Sequence, residues 1–158
     1  MNPYEHKKDS AFTLLEVLLV LVFISIFATV AVSRQTPANV AAKACAEKLK
    51  AHMRYAQMRA MNTTTQWSII YQKSTNSYRL LNEKTQAVTT LPGETQPMVD
   101  LNLEKVSIEQ DDFKITFDDW GRPTSTIAFN SNNEAIITLT CGGNDANATL
   151  LQETGFIQ

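Results

Sequence analysis

Residues 10–23 read SAFTLLEVLLVLVF, an apolar run broken by one carboxylate, Glu16. From Phe12 to Val32 there are 21 residues, and only Thr13, Glu16, Ser25 and Thr29 among them are polar. At helical rise such a run matches the ~30 Å hydrocarbon core of a bilayer. It holds no Gly or Pro, so one continuous helix is expected. Lys7 and Lys8 precede it and would keep the N-terminus cytoplasmic, with the remainder exported. A secretory signal shares the basic start, but its apolar core is shorter and a small-x-small cleavage site should follow. Ala28–Ala31 only approaches such a site. A plain signal anchor fits by length. Glu16 fits neither, because a carboxylate in hydrocarbon costs on the order of 3 kcal/mol and needs a partner.

Working outward, the helical pattern resumes after Pro37, which should kink or interrupt the helix. Ala38 to Met61 is rich in Ala, Lys, Met, Gln and Arg, all good helix formers. Val40, Ala44, Cys45, Leu49, Met53, Ala56 and Ala60 recur near helical spacing and predict one apolar stripe, with Lys43, Lys50, Arg54 and Gln57 mostly off it.

After Asn62 the period changes to that of strands. Thr65–Gln72 alternates Trp67, Ile69 and Tyr71 on one face, and a turn at Ser74–Ser77 leads into Tyr78–Leu81 as a hairpin. Asn82–Pro97 is polar, carries the Pro92-Gly93 turn and reads as a loop. Further strands are predicted at Val99–Leu103, Val106–Glu109, Phe113–Phe117, Thr126–Asn130, Ala135–Thr140 and Thr149–Leu151. Gly121 should carry a positive φ, and Gly142-Gly143 marks a loop. The fold class is therefore α+β: a long N-terminal helix, transmembrane and then amphipathic, packed against a small antiparallel β head.

Charge is divided along the chain. The whole carries −2 at 158 residues, with 44% hydrophobic and 19% charged residues, a globular composition. Arg34 to Arg59 holds six basic residues and one acid, whereas residues 60–158 hold six basic and twelve acidic ones. A basic stem thus carries an acidic head. That pattern reads as solvated faces, as head-to-stem complementarity between subunits, or as contact with anionic lipid.

Ala11-Phe12-Thr13-Leu14-Leu15-Glu16-Val17, after a short polar leader and before an apolar helix, resembles the class III signal of type IV prepilins and pseudopilins. The resemblance implies a membrane-embedded prepilin peptidase that cuts between Ala11 and Phe12 and methylates the new Phe12 amine. Ala11 departs from the Gly usual at that place. Glu16, fifth after the cut, becomes the assembly charge. "LKAHMRYAQMRAMN" (49–62), "FDDWGRP" (117–123) and "TGFIQ" (154–158) are similar to H-type pseudopilins, and most of all to a minor subunit of the mannose-sensitive haemagglutinin type of pilus. The implied division is a leader at 1–11, a transmembrane and assembly helix at 12–33, a periplasmic stem at 34–62 and a head at 63–158. The implied function is a minor pilin or pseudopilin at or near a fibre tip. Its partners would be the peptidase, other pilin subunits and inner-membrane lipid, with the head in the periplasm.

Three alternatives follow from the same residues. A type II secretion pseudopilin would share every motif. A DNA-capturing minor pilin would need a basic head, and the acidic balance and the Lys- and Arg-free tail argue against nucleic acid. A surface enzyme on an anchor would need chemistry, and no Gly-x-Ser-x-Gly, phosphate-binding Gly loop or His-centred triad occurs. No cofactor is expected. Asp111, Asp112, Asp118 and Asp119 lack EF-hand spacing and read as turn acids. His6 and His52 are isolated. Cys45 and Cys141 match no metal pattern; they are either a pair of buried thiols or one disulfide, worth about 4–5 kcal/mol by loop entropy.

Overall fold

The computed structural model describes residues 13–33 and 37–158, with side chains at 13–28 and 39–158. The expected cleavage site, Ala11 and Phe12, and the basic exit residue Arg34 lie outside the described residues. The chain divides into two compact units, Met1–Thr36 and Pro37–Gln158, each taken by itself below.

The first unit holds helix α1, Leu14–Ser33. Its first turn is tied by the Glu16 amide donating to the Thr13 carbonyl at 3.0 Å and to Thr13 Oγ1 at 3.3 Å. The expected span Phe12–Val32 runs past the described side chains at both ends; among the described residues no helix is long and apolar enough to cross a membrane.

The second unit opens on helix α2, Pro37–Thr63. Pro37 stands at the first helical position, where a missing N–H costs nothing. Ala42, Cys45, Ala46, Leu49, Met53, Ala56 and Ala60 are buried, a spacing of three and four that lays one face on the head. Val40 and Ala44, placed on that stripe by the sequence, are exposed instead. The buried face is rotated so that Ala42 and Ala46 take their places, since small side chains let the helix approach the sheet closely. The helix ends where Thr64 turns left-handed at φ 49°. There Thr63 Oγ1 donates to the Arg59 carbonyl at 2.6 Å and accepts from Trp67 Nε1 at 2.8 Å. The Arg59 guanidinium lies 4.7 Å over the Trp67 ring, so helix exit and first strand are fixed together.

The strands are β1 (Trp67–Gln72), β2 (Ser77–Asn82), β3 (Val88–Thr89), β4 (Met98–Asp100), β5 (Ser107–Ile108), β6 (Phe113–Phe117), β7 (Pro123–Ser125), β8 (Glu134–Cys141) and β9 (Asn144–Leu151). All pair antiparallel. One sheet runs β3-β2-β1-β6-β7, with β4 also on β2; the other runs β5-β8-β9. Trp67, Ile69 and Tyr71 face the core as their alternation requires, opposite Phe117, Ile115 and Phe113 of β6. α2 packs chiefly on β8 and β9, where Ala135, Ile137, Leu139, Ala148 and Leu150 close the core.

Four expectations change. The Val99–Leu103 strand stops at Asp100, whose side chain caps a 3-10 turn over Leu101–Glu104. The Asn82–Pro97 loop contains β3, paired on β2. No strand forms at Thr126–Asn130; pairing with β6 falls at β7, where Ser125 Oγ then accepts the Ile127 amide at 3.0 Å and turns the chain away. The last strand spans eight residues rather than three, because Gly142 and Gly143, at φ 54° and 79°, close a two-residue hairpin that pairs Cys141 with Asn144.

Candidate functional site

In the first unit the candidate site is the surface of α1. Its described apolar side chains are exposed on every side, from 47% at Leu19 and Val20 to 83% at Leu14. A helix apolar all round is stable only inside lipid or among other apolar helices. Glu16 sits in its first turn, exposed, and among the described residues its carboxylate meets no cation. The sole charged group of the described apolar helix is therefore at its N-terminal end.

In the head the sequence-nominated groups serve local structure. Cys45 and Cys141 are both free and buried. Burial first, then Glu104, pushes the Cys45 thiol up, against the pull of Lys48. Asp118 Oδ1 accepts the Arg122 amide at 2.7 Å and the Trp120 amide at 3.0 Å, holding the turn in which Gly121 has φ 78°. Asp111 meets Lys73 Nζ at 2.8 Å, and Asp112 accepts the Lys73 amide at 2.7 Å. Three of the four acids are thus spent on two separate turns, and Asp119 is exposed beside the second. Among the described residues no cluster of metal-ligating side chains occurs.

Two tethers went unread in the sequence. Gln57 Nε2 donates to the carbonyls of Gly121 at 2.8 Å and Gly155 at 3.1 Å, pinning both turns to α2. His52, 3% exposed, bonds Tyr78 Oη through Nδ1 at 2.8 Å and the Pro92 carbonyl through Nε2 at 3.0 Å. The carbonyl can only accept, so Nε2 carries the proton and Nδ1 accepts from the tyrosine. Burial dominates here and lowers the His52 pKa below the ordinary 6.5, against the Pro92 bond and Glu94, which raise it. The same loop is held by Lys48 Nζ to Glu94 at 2.7 Å. No motif signals these contacts, because each partner is remote in sequence. Around the Gln57 tether, Met58, Met61, Trp120 and Phe156 are exposed, Trp120 by 76%.

No protein-family profile matches the chain, and no curated protein matches it. Among solved structures it is similar to the type IV minor pilin FimU of Pseudomonas aeruginosa in two crystal forms, at 17% identity over 73% of this chain. The TM-scores are 0.49 and 0.46, with 84% and 89% of the FimU chain covered.

Proposed function

We propose that the chain is a minor subunit of a type IV pilus or a related pseudopilus, non-enzymatic, and built into a fibre through its N-terminal helix. The observation that carries this reading is α1: apolar and exposed around its described length, with Glu16 alone in its first turn. The prepilin-like residues 11–17 point to a cleavage that would supply the missing cation. Cleavage between Ala11 and Phe12 by a prepilin peptidase leaves a positive amine on Phe12, which the same enzyme methylates. Before assembly α1 lies in the inner membrane, with the head in the periplasm.

Once subunits stagger along the fibre, the Glu16 carboxylate of one meets the Phe12 amine of its neighbour. An unpaired charge among apolar helices is costly and a paired one is tolerated. Hydrophobic contact alone permits any stagger; the charge pair selects one. The buried face of α2 holds the head to the stem, so the head is carried to the fibre surface, and a minor subunit of this kind belongs at or near the tip. The test is Glu16→Leu. This variant should insert and be processed normally yet be depleted from sheared fibres. Incorporation equal to wild type would remove the charge-pair mechanism.

A further inference from the structure

Among the described residues the outer edge of β9 is only partly covered. Residues Phe156 and Gln158 pair along it: the Leu151 amide donates to the Phe156 carbonyl at 2.9 Å, and Thr149 and Gln158 exchange bonds of 2.8 and 2.9 Å. Antiparallel pairing alternates, so Thr149 and Leu151 face outward and Ala148 and Leu150 face β8. By the same alternation Asn147 and Asp145 present their N–H and C=O groups outward. Among the described residues, those groups have no backbone partner. Both residues are exposed, and Asp145 uses its carboxylate to accept from Thr140 Oγ1 at 2.8 Å.

This open stretch is not a bare edge facing water. It borders a groove of about 350 Å³ lined by Lys43, Ala46, Glu47 and Lys50 of α2 and by Ala146 and Asn147 of β9. The track leading to it is set by the existing pairing. Gln57 of α2 holds Gly155, Arg54 Nη2 donates to the Ile157 carbonyl at 2.7 Å, and the groove lies about one to three helical turns further back along α2. A strand placed there would continue the line of residues 156–158 between β9 and α2. The α2 wall carries one uncompensated positive charge: Glu47 is engaged by Lys50 Nζ at 2.7 Å, while exposed Lys43 has no ion-pair partner among the described residues.

We propose that the Asp145–Asn147 edge of β9, with Lys43, is a strand-addition site for an extended acidic segment of a partner protein. The edge supplies main-chain donors and acceptors, which any extended segment satisfies. The uncompensated Lys43 cation selects a segment with a carboxylate toward α2. Alternate side chains of the incoming strand would enter the groove beside Ala46 and Ala146. Exposed edges are normally guarded by bulges, prolines or charges, and β7 carries Pro123; over Asp145–Asn147 the one charge is the Asp145 carboxylate, which Thr140 Oγ1 holds. The proposal does not depend on the fibre reading, since it concerns peptide capture by the head whatever α1 does.

The test uses the full chain in detergent micelles and a fluorescently labelled, end-blocked peptide, Glu-Thr-Val-Glu-Thr-Val, against the same peptide with Lys for Glu. Polarisation titrations give affinities, and amide exchange locates the contact. The acidic peptide should bind more tightly than the basic one and protect the Asp145 and Asn147 amides. Lys43→Glu, a change at an exposed position, should weaken acidic-peptide binding about three- to tenfold. Asn147→Pro removes an outward N–H without touching a bond to β8 and should weaken it about fivefold or more. Equal binding of the two peptides, unchanged affinity in Lys43→Glu, or protection away from β9 would overturn the proposal. So would protection of these amides that grows with protein concentration in the absence of peptide, because the occupant would then be a second copy.

Discussion

Replacing His52 with Leu should destabilise the head more than any surface change. The imidazole is buried and serves two groups, the Tyr78 hydroxyl at 2.8 Å and the Pro92 carbonyl at 3.0 Å. Leucine fills similar space but leaves both without a partner. A buried polar group stripped of its bond costs about 1–3 kcal/mol, so the two together predict a loss of about 2–6 kcal/mol. Tyr78→Phe removes one donor and strands only His52 Nδ1, for about 1–2 kcal/mol. The two losses should not add, since the residues share a bond. The pH dependence has a definite sign. His52 holds its proton less readily when folded than when unfolded, so stability is fully present above about pH 6.5 and falls as pH drops toward the lowered folded value. The assay is urea unfolding of the full chain followed by the fluorescence of buried Trp67, from pH 5 to 8. The acid-side decline should vanish in His52→Leu and persist in Tyr78→Phe. A His52→Leu cost under about 0.5 kcal/mol, the range of ordinary surface changes, or an unaltered pH slope would refute the reasoning.

Other outcomes follow from the same contacts. Gly155→Ala should cost at least about 2 kcal/mol in the same unfolding assay, because φ is 65° and the new Cβ would fall 2.2 Å from the Gly121 carbonyl oxygen; a neutral result would mean the turn is free to move. Gln57→Leu should cost about 1–3 kcal/mol and raise amide exchange in both the 118–122 and 154–156 turns, where a change in only one would contradict a shared tether. Cys45 and Cys141, both buried, should alkylate slowly in the native chain and promptly in urea; equal rates would show that the thiols are open.

Helix α2 and strands β1, β6 and β8 were legible because their apolar residues repeat at the period of the element. The alternation at Phe113–Phe117 gives the bounds of β6. The face of α2 was read about half a turn off at its start, because Val40 is the more hydrophobic residue but Ala42 and Ala46 fit beneath the sheet. Strand β9 was mostly missed. Asn144-Asp145-Ala146-Asn147 has poor strand propensity, and only the Gly-Gly hairpin and its pairing with β8 hold it extended. Strand β7 begins at Pro123, a residue that reads as a strand breaker yet suits an edge. Of the site, Glu16 stood out because one charge in an apolar run is costly. His52 and Gln57 did not, because a tether between distant residues leaves no local period.

We propose that this chain is trimmed before Phe12 so that a new amine can meet Glu16. The most direct test is the mass and N-terminal sequence of the mature protein recovered from membranes that contain a prepilin peptidase. The account predicts a chain that begins at Phe12 and carries one added methyl group on its amine. A chain that keeps residues 1–11, or one cut beyond Val32, would contradict it.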